Sequence, residues 1–238
     1  MKTNNPQYDE IPISAWWLVA IAAALIAVGI CSNIRAEWCH YAPQGSVDGQ
    51  GIFKDTMSRC PSSIMGQIRK YDKATQCHEA THGIDSDISR LYGQDYGGFY
   101  IGNGKCCVLS QPKVTVARVA RYVPANKRTG RFKTYLTGDR ERRNCLTLLD
   151  EWTCYANDAT CTQELGLQAD GGREFAGEFS GFADCLIQAV KDADPNYADM
   201  QGLVEFVEWQ KQRMAELSQK AEADGGDGLA PFVVGHAD

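Results

Sequence analysis

The run His78-Glu79-Ala80-Thr81-His82 constrains this chain more than any other feature of its sequence. Residues four apart stand on one face of an α-helix, so both imidazoles can reach a single metal ion while Glu79 projects beside them. Zinc suits such a pair, because Zn²⁺ takes nitrogen and oxygen ligands in tetrahedral geometry and can keep one position for water. The motif therefore predicts a helix that carries two zinc ligands and a general base.

A zinc ion held in this way needs a third protein ligand, and Glu151 is the best candidate. It lies in a predicted helix over residues 144–158, beside Trp152 in an otherwise apolar segment. A carboxylate in such surroundings favours a cation. Tyr155, one turn later on the same face, is placed to donate a hydrogen bond to a developing oxyanion. The rival ligands are two glutamates on the next predicted helix and one histidine: Glu174, Glu178 and His40.

Together these residues resemble the gluzincin group of zinc metallopeptidases, in which a His-Glu-x-x-His helix is followed by a second helix with a glutamate ligand. The resemblance covers two short segments, Cys77–Gly83 and Asp150–Asp158. It implies that His78, His82 and Glu151 are the zinc ligands. It also implies that Glu79 is the general base and that Tyr155 is a hydrogen-bond donor to the transition state.

The spacing of the ligands differs from that of the thermolysin-like members. In this chain 68 residues separate His82 from Glu151, so an insertion must lie between the two helices. The third histidine of the metzincins is also absent, since Asp85 follows the motif instead. The sequence therefore excludes a metzincin.

Residues 15–31 form an uncharged apolar run of 17 residues, with Trp16 and Trp17 near its start. This length is at the lower limit of the roughly 17–25 residues that span a bilayer, and above the roughly 7–15 of a signal-peptide core. After a short segment at 1–14 we expect an uncleaved single-pass anchor or, alternatively, a cleaved signal. Either one places the remainder outside the cytoplasm, and the first gives a membrane contact through 15–31. A buried core helix is disfavoured, because the polar strip of a globular helix is missing.

Ten cysteines are many for 238 residues, and no Cys-x-x-Cys spacing pairs them for a metal. Scattered cysteines after an export segment predict disulfides in an oxidising compartment. Nine follow the apolar run, so at least one is not paired within the chain. We expect Cys77 to be a disulfide partner, the alternative being a thiolate close to the metal. Cys145, Cys154 and Cys161 are placed to staple the Glu151 helix.

The net charge of −6 argues against a nucleic-acid partner, because such proteins need positive surface to displace counterions from phosphates. The charge is uneven. Residues 118–143 contain nine Lys and Arg against two acidic residues, whereas residues 150–238 contain eighteen Asp and Glu against five basic residues. We interpret the basic stretch as a solvated face, the alternative being a patch for an anionic substrate or surface.

Hydrophobic periodicity predicts a helix-dominated α+β fold. We expect one zincin-like domain over 37–223 and a disordered tail at 224–238. A helix that starts after Pro61 should run into the histidine motif and stop at Gly83. Asp85 and Asp87 would then lie in a turn or accept a hydrogen bond from a ligand imidazole.

Other elements follow from turn signals and apolar spacing. Asn103-Gly104 predicts a β-hairpin between two apolar runs. Residues 112–123 are expected to form a strand or a short helix. Two further helices are expected at 174–192 and 196–223.

These features favour a zinc-dependent hydrolase, with a metalloendopeptidase acting on protein or peptide as the preferred interpretation. Two alternatives stay open. One is a non-enzymatic, disulfide-stabilised surface domain with structural zinc or none. The other is a zinc amidase that acts on a non-peptide polymer of the cell envelope.

Overall fold

The computed structural model describes residues 37–167 and 171–223. They form eight α-helices and three strands, and helices predominate, as the periodicity predicts. The strands are β1 Glu37–His40, β2 Tyr96–Gly102 and β3 Lys105–Ser110. The helices are α1 Ile52–Arg59, α2 Ser62–Ile68, α3 Lys73–Tyr92, α4 Val116–Ala120, α5 Gly130–Leu136, α6 Thr147–Glu164, α7 Gly172–Ala193 and α8 Met200–Ala223.

The three strands make one antiparallel sheet in the order β1-β3-β2. The predicted hairpin is confirmed: β2 and β3 are joined at Asn103 and Gly104, both with positive φ (52° and 72°), which these two residue types tolerate best. A disulfide links Cys39 to Cys106, which are cross-strand partners in β1 and β3. The disulfide therefore joins the edge strand β1 covalently to the central strand β3.

Helix α3 carries the histidine motif, and it differs from the prediction at both ends. The expected single helix is two, because the Asp72 side chain accepts a hydrogen bond from the Thr75 N–H (3.0 Å) and starts a new helix. The expected stop at Gly83 is wrong, since α3 continues to Tyr92 and ends at Gly93, φ 117°. A Cβ at position 83 would lie 2.5 Å from Ile64 Cδ1. Gly83 thus serves the close packing of α2 on α3 and not a helix end.

Helix α6 lies antiparallel to α3. The contacts run from Cys161 Sγ with the Lys73 carbonyl (3.6 Å), through Cys77 Sγ with the Asn157 carbonyl (3.6 Å), to His82 with Asp150 (3.0 Å). The prediction of a helix here is confirmed, although α6 begins at Thr147 and extends to Glu164.

The main core lies where α6, α7 and α8 meet the sheet. The Phe99 ring stacks on Phe206, and Phe179 packs edge-on against Phe182. The largest buried side chains of this core are aromatic: Phe99, Trp152, Phe179, Phe182 and Phe206. The helices predicted at 174–192 and 196–223 are both present, and the segment at 112–123 holds the short helix α4. This core fixes α6, so the face that α6 turns towards α3 is also fixed.

The cysteines do not form the predicted set of disulfides. Cys39–Cys106 is the one disulfide among the described residues, and the remaining cysteines of that part of the chain are thiols: Cys60, Cys77, Cys107, Cys145, Cys154, Cys161 and Cys185. The predicted disulfide at Cys77 and the staples around α6 are therefore wrong. Most of these thiols are fully buried, where cysteine behaves as a small apolar residue.

Three predicted segments lie outside the described residues: 1–14, the apolar run at 15–31 and the tail at 224–238. Among the helices that are described, none has the length and apolar character needed to span a bilayer.

Candidate metal centre

The two motif histidines lie on the face of α3 that packs against α6. One turn separates them, and their ring centroids are 4.9 Å apart. His78 is 8% exposed, and His82 is more open to solvent. The helical spacing of the motif therefore brings both imidazoles to one place, as the sequence predicts.

Glu151 projects from α6 towards both imidazoles. Its Oε2 atom lies 3.9 Å from His78 Nε2 and 3.6 Å from His82 Nε2. Two ligands bound about 2.0–2.1 Å from one tetrahedral zinc ion are about 3.3 Å apart. Binding of one ion by all three atoms would therefore require the three side chains to move inwards.

The other carboxylate oxygen of Glu151 is held by a cation. Arg140 Nη1 donates to Glu151 Oε1 at 2.9 Å, and the Arg140 guanidinium stacks over the Tyr135 ring, 4.6 Å from its centroid. Burial raises the pKa of Glu151, but hydrogen bonds and charge from His82 and Arg140 outweigh burial and lower it. Glu151 is thus an oriented, ionised carboxylate with one free oxygen.

His82 is oriented by Asp150, the residue before Glu151. The distance from His82 Nδ1 to Asp150 Oδ2 is 3.0 Å. With Asp150 as the acceptor, Nδ1 carries a proton and Nε2 faces Glu151. Carboxylates commonly orient metal-binding histidines in this way. The turn expected for Asp85 and Asp87 is wrong, because α3 continues past Gly83, and neither residue accepts a hydrogen bond from a motif imidazole as the alternative had it. Asp87 instead pairs with Arg90 and accepts from Tyr41.

His78 has an unusual environment for a buried imidazole. Its Nδ1 is buried without a hydrogen-bond partner, and Nε2 makes no hydrogen bond within the described part of the chain. Burial and the neighbouring His82 lower the pKa of His78 to about 4. A neutral ring with an uncommitted lone pair fits a metal ligand, since histidine binds metals in its neutral form.

A pocket of about 250 Å³ opens beside His78, and Glu79, Tyr155 and Phe175 line it too. The Glu79 side chain is half-buried and makes no hydrogen bond or salt bridge to another described residue. The Tyr155 ring packs edge-on against His78 at 4.5 Å, and its hydroxyl lies 2.8 Å from that of Tyr135. The residues predicted to act as base and donor therefore face one cavity beside the histidines.

The rival ligands lie elsewhere. Glu174 is exposed on α7, and Glu178 accepts a hydrogen bond from Thr129 Oγ1 at 3.0 Å. His40 lies on β1 against Gly104 at the hairpin. The structure does not bring any of the three to His78 and His82.

The structure also adds residues that sequence reasoning did not assign to the site. The Sγ of Cys154, on α6, lies within 4.8 Å of ring nitrogens of His78 and His82, and also of a carboxylate oxygen of both Asp85 and Asp150. Cys154 is thus a rival third ligand to Glu151. Burial raises the pKa of the Cys154 thiol well above its usual value, whereas Glu151 is ionised. The α6 periodicity could have pointed to Cys154, which is one turn from Asp150, but only the tertiary contact places it.

A second, larger cleft of about 490 Å³ reaches the other side of the histidine pair. It is lined by His82, Asp150 and Phe99 among others. It runs along β2, whose outer edge is already occupied: Gly98 N–H donates to Ser89 Oγ (2.9 Å) and Tyr100 N–H to Asp85 Oδ1 (2.6 Å). A ligand in this cleft is therefore contacted by side chains and not by pairing with β2.

Part of the basic stretch lies at the site. Arg140 holds Glu151, and Arg131 stacks on Phe175, with its Cζ 3.3 Å from the ring centroid. The basic stretch is therefore not only a solvated face.

Protein-family models, curated proteins and solved structures were each compared with this chain, and none of the three comparisons finds a match.

Proposed function

We propose that this protein is a zinc-dependent hydrolase, and that it is a metalloendopeptidase with a zincin-like arrangement of α3 and α6. The observation that carries the proposal is the convergence of two Nε2 atoms and one carboxylate oxygen, at 3.6 and 3.9 Å, beside an open pocket. These residues fit zinc, because His78 is a neutral ring without a hydrogen-bond partner and His82 offers Nε2 once zinc displaces its proton.

His78, His82 and Glu151 would hold the ion, and Arg140 and Asp150 keep two of these ligands in position. When bound, zinc supplies Lewis acidity and lowers the pKa of a coordinated water to about 7. Glu79 takes a proton from the attacking water and returns it to the leaving nitrogen. Tyr155 donates a hydrogen bond to the developing oxyanion, and Tyr135 positions Tyr155 by donating to its oxygen.

The two openings favour a polymeric substrate. The pocket of about 250 Å³ reaches His78 and Glu79, and the cleft of about 490 Å³ reaches His82. An extended peptide that crosses the histidine pair would place side chains in both. This supports an endopeptidase over an enzyme that acts on a small molecule.

We also propose that the domain lies outside the cytoplasm. The disulfide between Cys39 and Cys106 supports it, because disulfides persist in oxidising compartments.

Two matched variants of the purified full chain test the zinc site. We expect Glu151→Gln to bind one zinc equivalent fewer than the wild type by elemental analysis, and to lose cleavage of a denatured protein substrate. Glu174→Gln, which removes the same charge from the rival position on α7, should change neither quantity. Full zinc content in Glu151→Gln, or loss of zinc in Glu174→Gln, would reject this ligand set.

A further inference from the structure

A second group of metal-binding atoms lies next to the site already described. Asp85 comes from α3, and Asp150 and Cys154 come from α6, one turn apart. One carboxylate oxygen of each aspartate and the thiol sulfur all lie within 4.8 Å of one another. The group therefore joins the two helices that carry the proposed zinc ligands.

A buried aspartate such as Asp85 is unusual at the interface between two packed helices. It is 2% exposed, and its Oδ1 accepts the Tyr100 N–H at 2.6 Å. Its Oδ2 is buried and has no hydrogen-bond partner among the residues that the structure describes. Burying an unpaired carboxylate oxygen is strongly unfavourable unless a cation or a donor compensates or the carboxylate takes up a proton, and burial and Asp150 do raise the pKa of Asp85 well above its usual value.

The basic side chains of the neighbourhood do not supply that cation. Arg140 is committed to Glu151, and no described salt bridge involves Asp85. His82 donates to Asp150 and not to Asp85. One carboxylate oxygen of Asp85 instead lies within 4.8 Å of an oxygen of Asp150 and of the Cys154 sulfur, and carboxylates and thiolates are metal ligands.

We propose that Asp85, Asp150 and Cys154 bind a second divalent cation, distinct from the ion at His78, His82 and Glu151. The mixture of one thiolate and two carboxylates selects zinc over magnesium or calcium, since sulfur is a soft ligand and the latter two prefer oxygen alone. The Cys154 thiol releases its proton to solvent on binding.

The cation has a route of entry and a role. Asp85 and Asp150 line the cleft of about 490 Å³, so the ion reaches the group from solvent and water can complete its coordination. It ties α3 to α6 and fixes Asp150, the residue that orients His82. The proposal does not require that the protein hydrolyses anything.

Zinc content of the full chain tests the second site directly. We expect two equivalents in the wild type and one in Asp85→Asn, which keeps an oxygen to accept the Tyr100 N–H. Cys154→Ser should lose the same equivalent. The matched control is Asp87→Asn, two residues further along α3, which should retain two. One equivalent in the wild type, or equal zinc in wild type and Asp85→Asn, would mean that the carboxyl pair shares a proton and would overturn the proposal.

Cobalt substitution separates the second site from the first. A thiolate bound to Co²⁺ gives a near-ultraviolet charge-transfer band that imidazole and carboxylate ligands do not give. We expect this band in the wild type and in His78→Ala, which loses only the first site, and its absence in Asp85→Asn. A band lost in His78→Ala but kept in Asp85→Asn would assign Cys154 to the histidine pair and overturn the proposal. A failure of the proposed histidine zinc site, on which the hydrolase depends, would appear differently, as unchanged zinc content in His78→Ala.

Discussion

At the scale of single residues, the neighbours of the two imidazoles each have a separate role at the site. Asp150 orients the His82 ring, and Arg140 holds one oxygen of Glu151 while the other oxygen faces the imidazoles. Glu79 lies beside them without a hydrogen-bond partner in the described part of the chain. Each of these residues can be changed without removing the others.

Glu79→Gln removes the proposed base but keeps its size. We expect zinc content to equal that of the wild type, because Glu79 is not a ligand, and kcat to fall about 10²- to 10⁴-fold, the usual contribution of general acid–base catalysis. Peptide hydrolysis and elemental analysis of the same preparation check both parts. A variant with normal kcat would show that Glu79 is not the base.

Tyr155→Phe removes the proposed oxyanion donor. A single donor of this kind contributes about 10²-fold in kcat, so we expect a loss of that size with little change in KM. Tyr135→Phe leaves the Tyr155 hydroxyl in place and should lower kcat much less. If the two variants lose activity equally, the tyrosine pair acts through packing against His78 and not through the Tyr155 proton.

The two histidines titrate far apart, which sets how zinc affinity depends on pH. Burial and His82 lower the pKa of His78 to about 4. Burial alone would lower the pKa of His82 too, but Cys154 and Asp150 outweigh it and raise that pKa well above its usual value. Below neutral pH and above the pKa of His78, zinc must therefore displace one proton, from His82.

We expect the affinity of this site for zinc to fall about tenfold for each unit by which pH is lowered between about 7 and 5. Competition with a chelator of known affinity measures it, and the Asp85→Asn protein restricts the measurement to the histidine site. A hundredfold fall in affinity per pH unit would mean that zinc displaces a proton from both imidazoles, which would contradict the lowered pKa of His78.

At the scale of elements, the site depends on how closely α3 approaches β2. A Cβ at Gly98 would lie 2.4 Å from Ile88 Cγ2 and 3.0 Å from the Ser89 backbone nitrogen. We expect Gly98→Ala to lower the free energy of unfolding by about 1–3 kcal/mol, because overpacking forces backbone shifts. Gly66, on α2, has open space around it, so Gly66→Ala should stabilise by up to about 1 kcal/mol through helix propensity. Denaturant unfolding of both variants checks the pair, and two changes of the same sign would contradict this packing.

Local patterns predicted the elements but not their contacts. The helical spacing of His78 and His82, the Asn103-Gly104 hairpin and the helices around Glu151 and Glu178 all follow from periodicity and turn chemistry. The end of α3 does not follow from them, because glycine is a typical helix stop in sequence, whereas Gly83 is required here for the close packing of α2. Tertiary packing overrides a local signal of that kind.

The candidate site divides in the same way. The motif and the chemistry of a buried carboxylate nominated His78, His82 and Glu151, and the structure brings them together. Asp150, Arg140 and Cys154 were missed as participants in the site, because their roles depend on the antiparallel docking of α3 on α6. Contacts between residues so far apart in sequence leave no local pattern.

At the scale of the whole molecule, metal binding should stabilise the fold, because the proposed ligands come from two helices that the core alone must otherwise hold together. A ligand at 100 times its Kd adds about 2.7 kcal/mol to the folded state. For a domain of this size that corresponds to about 5–10 °C in Tm. We expect chelation to lower the Tm of the full chain by that amount and zinc to restore it. His82→Ala should show a clearly smaller response, and an equal response would place the stabilising zinc elsewhere.

The ligand set itself is the central claim, and X-ray absorption at the zinc edge tests it most directly. The sample is the full chain with Asp85→Asn, loaded with one equivalent of zinc, so that only the histidine site is filled. We predict two imidazole nitrogens and oxygen ligands at about 2.0–2.2 Å, with no sulfur at about 2.3 Å. A sulfur shell, or fewer than two imidazoles, would contradict a site built from His78, His82 and Glu151.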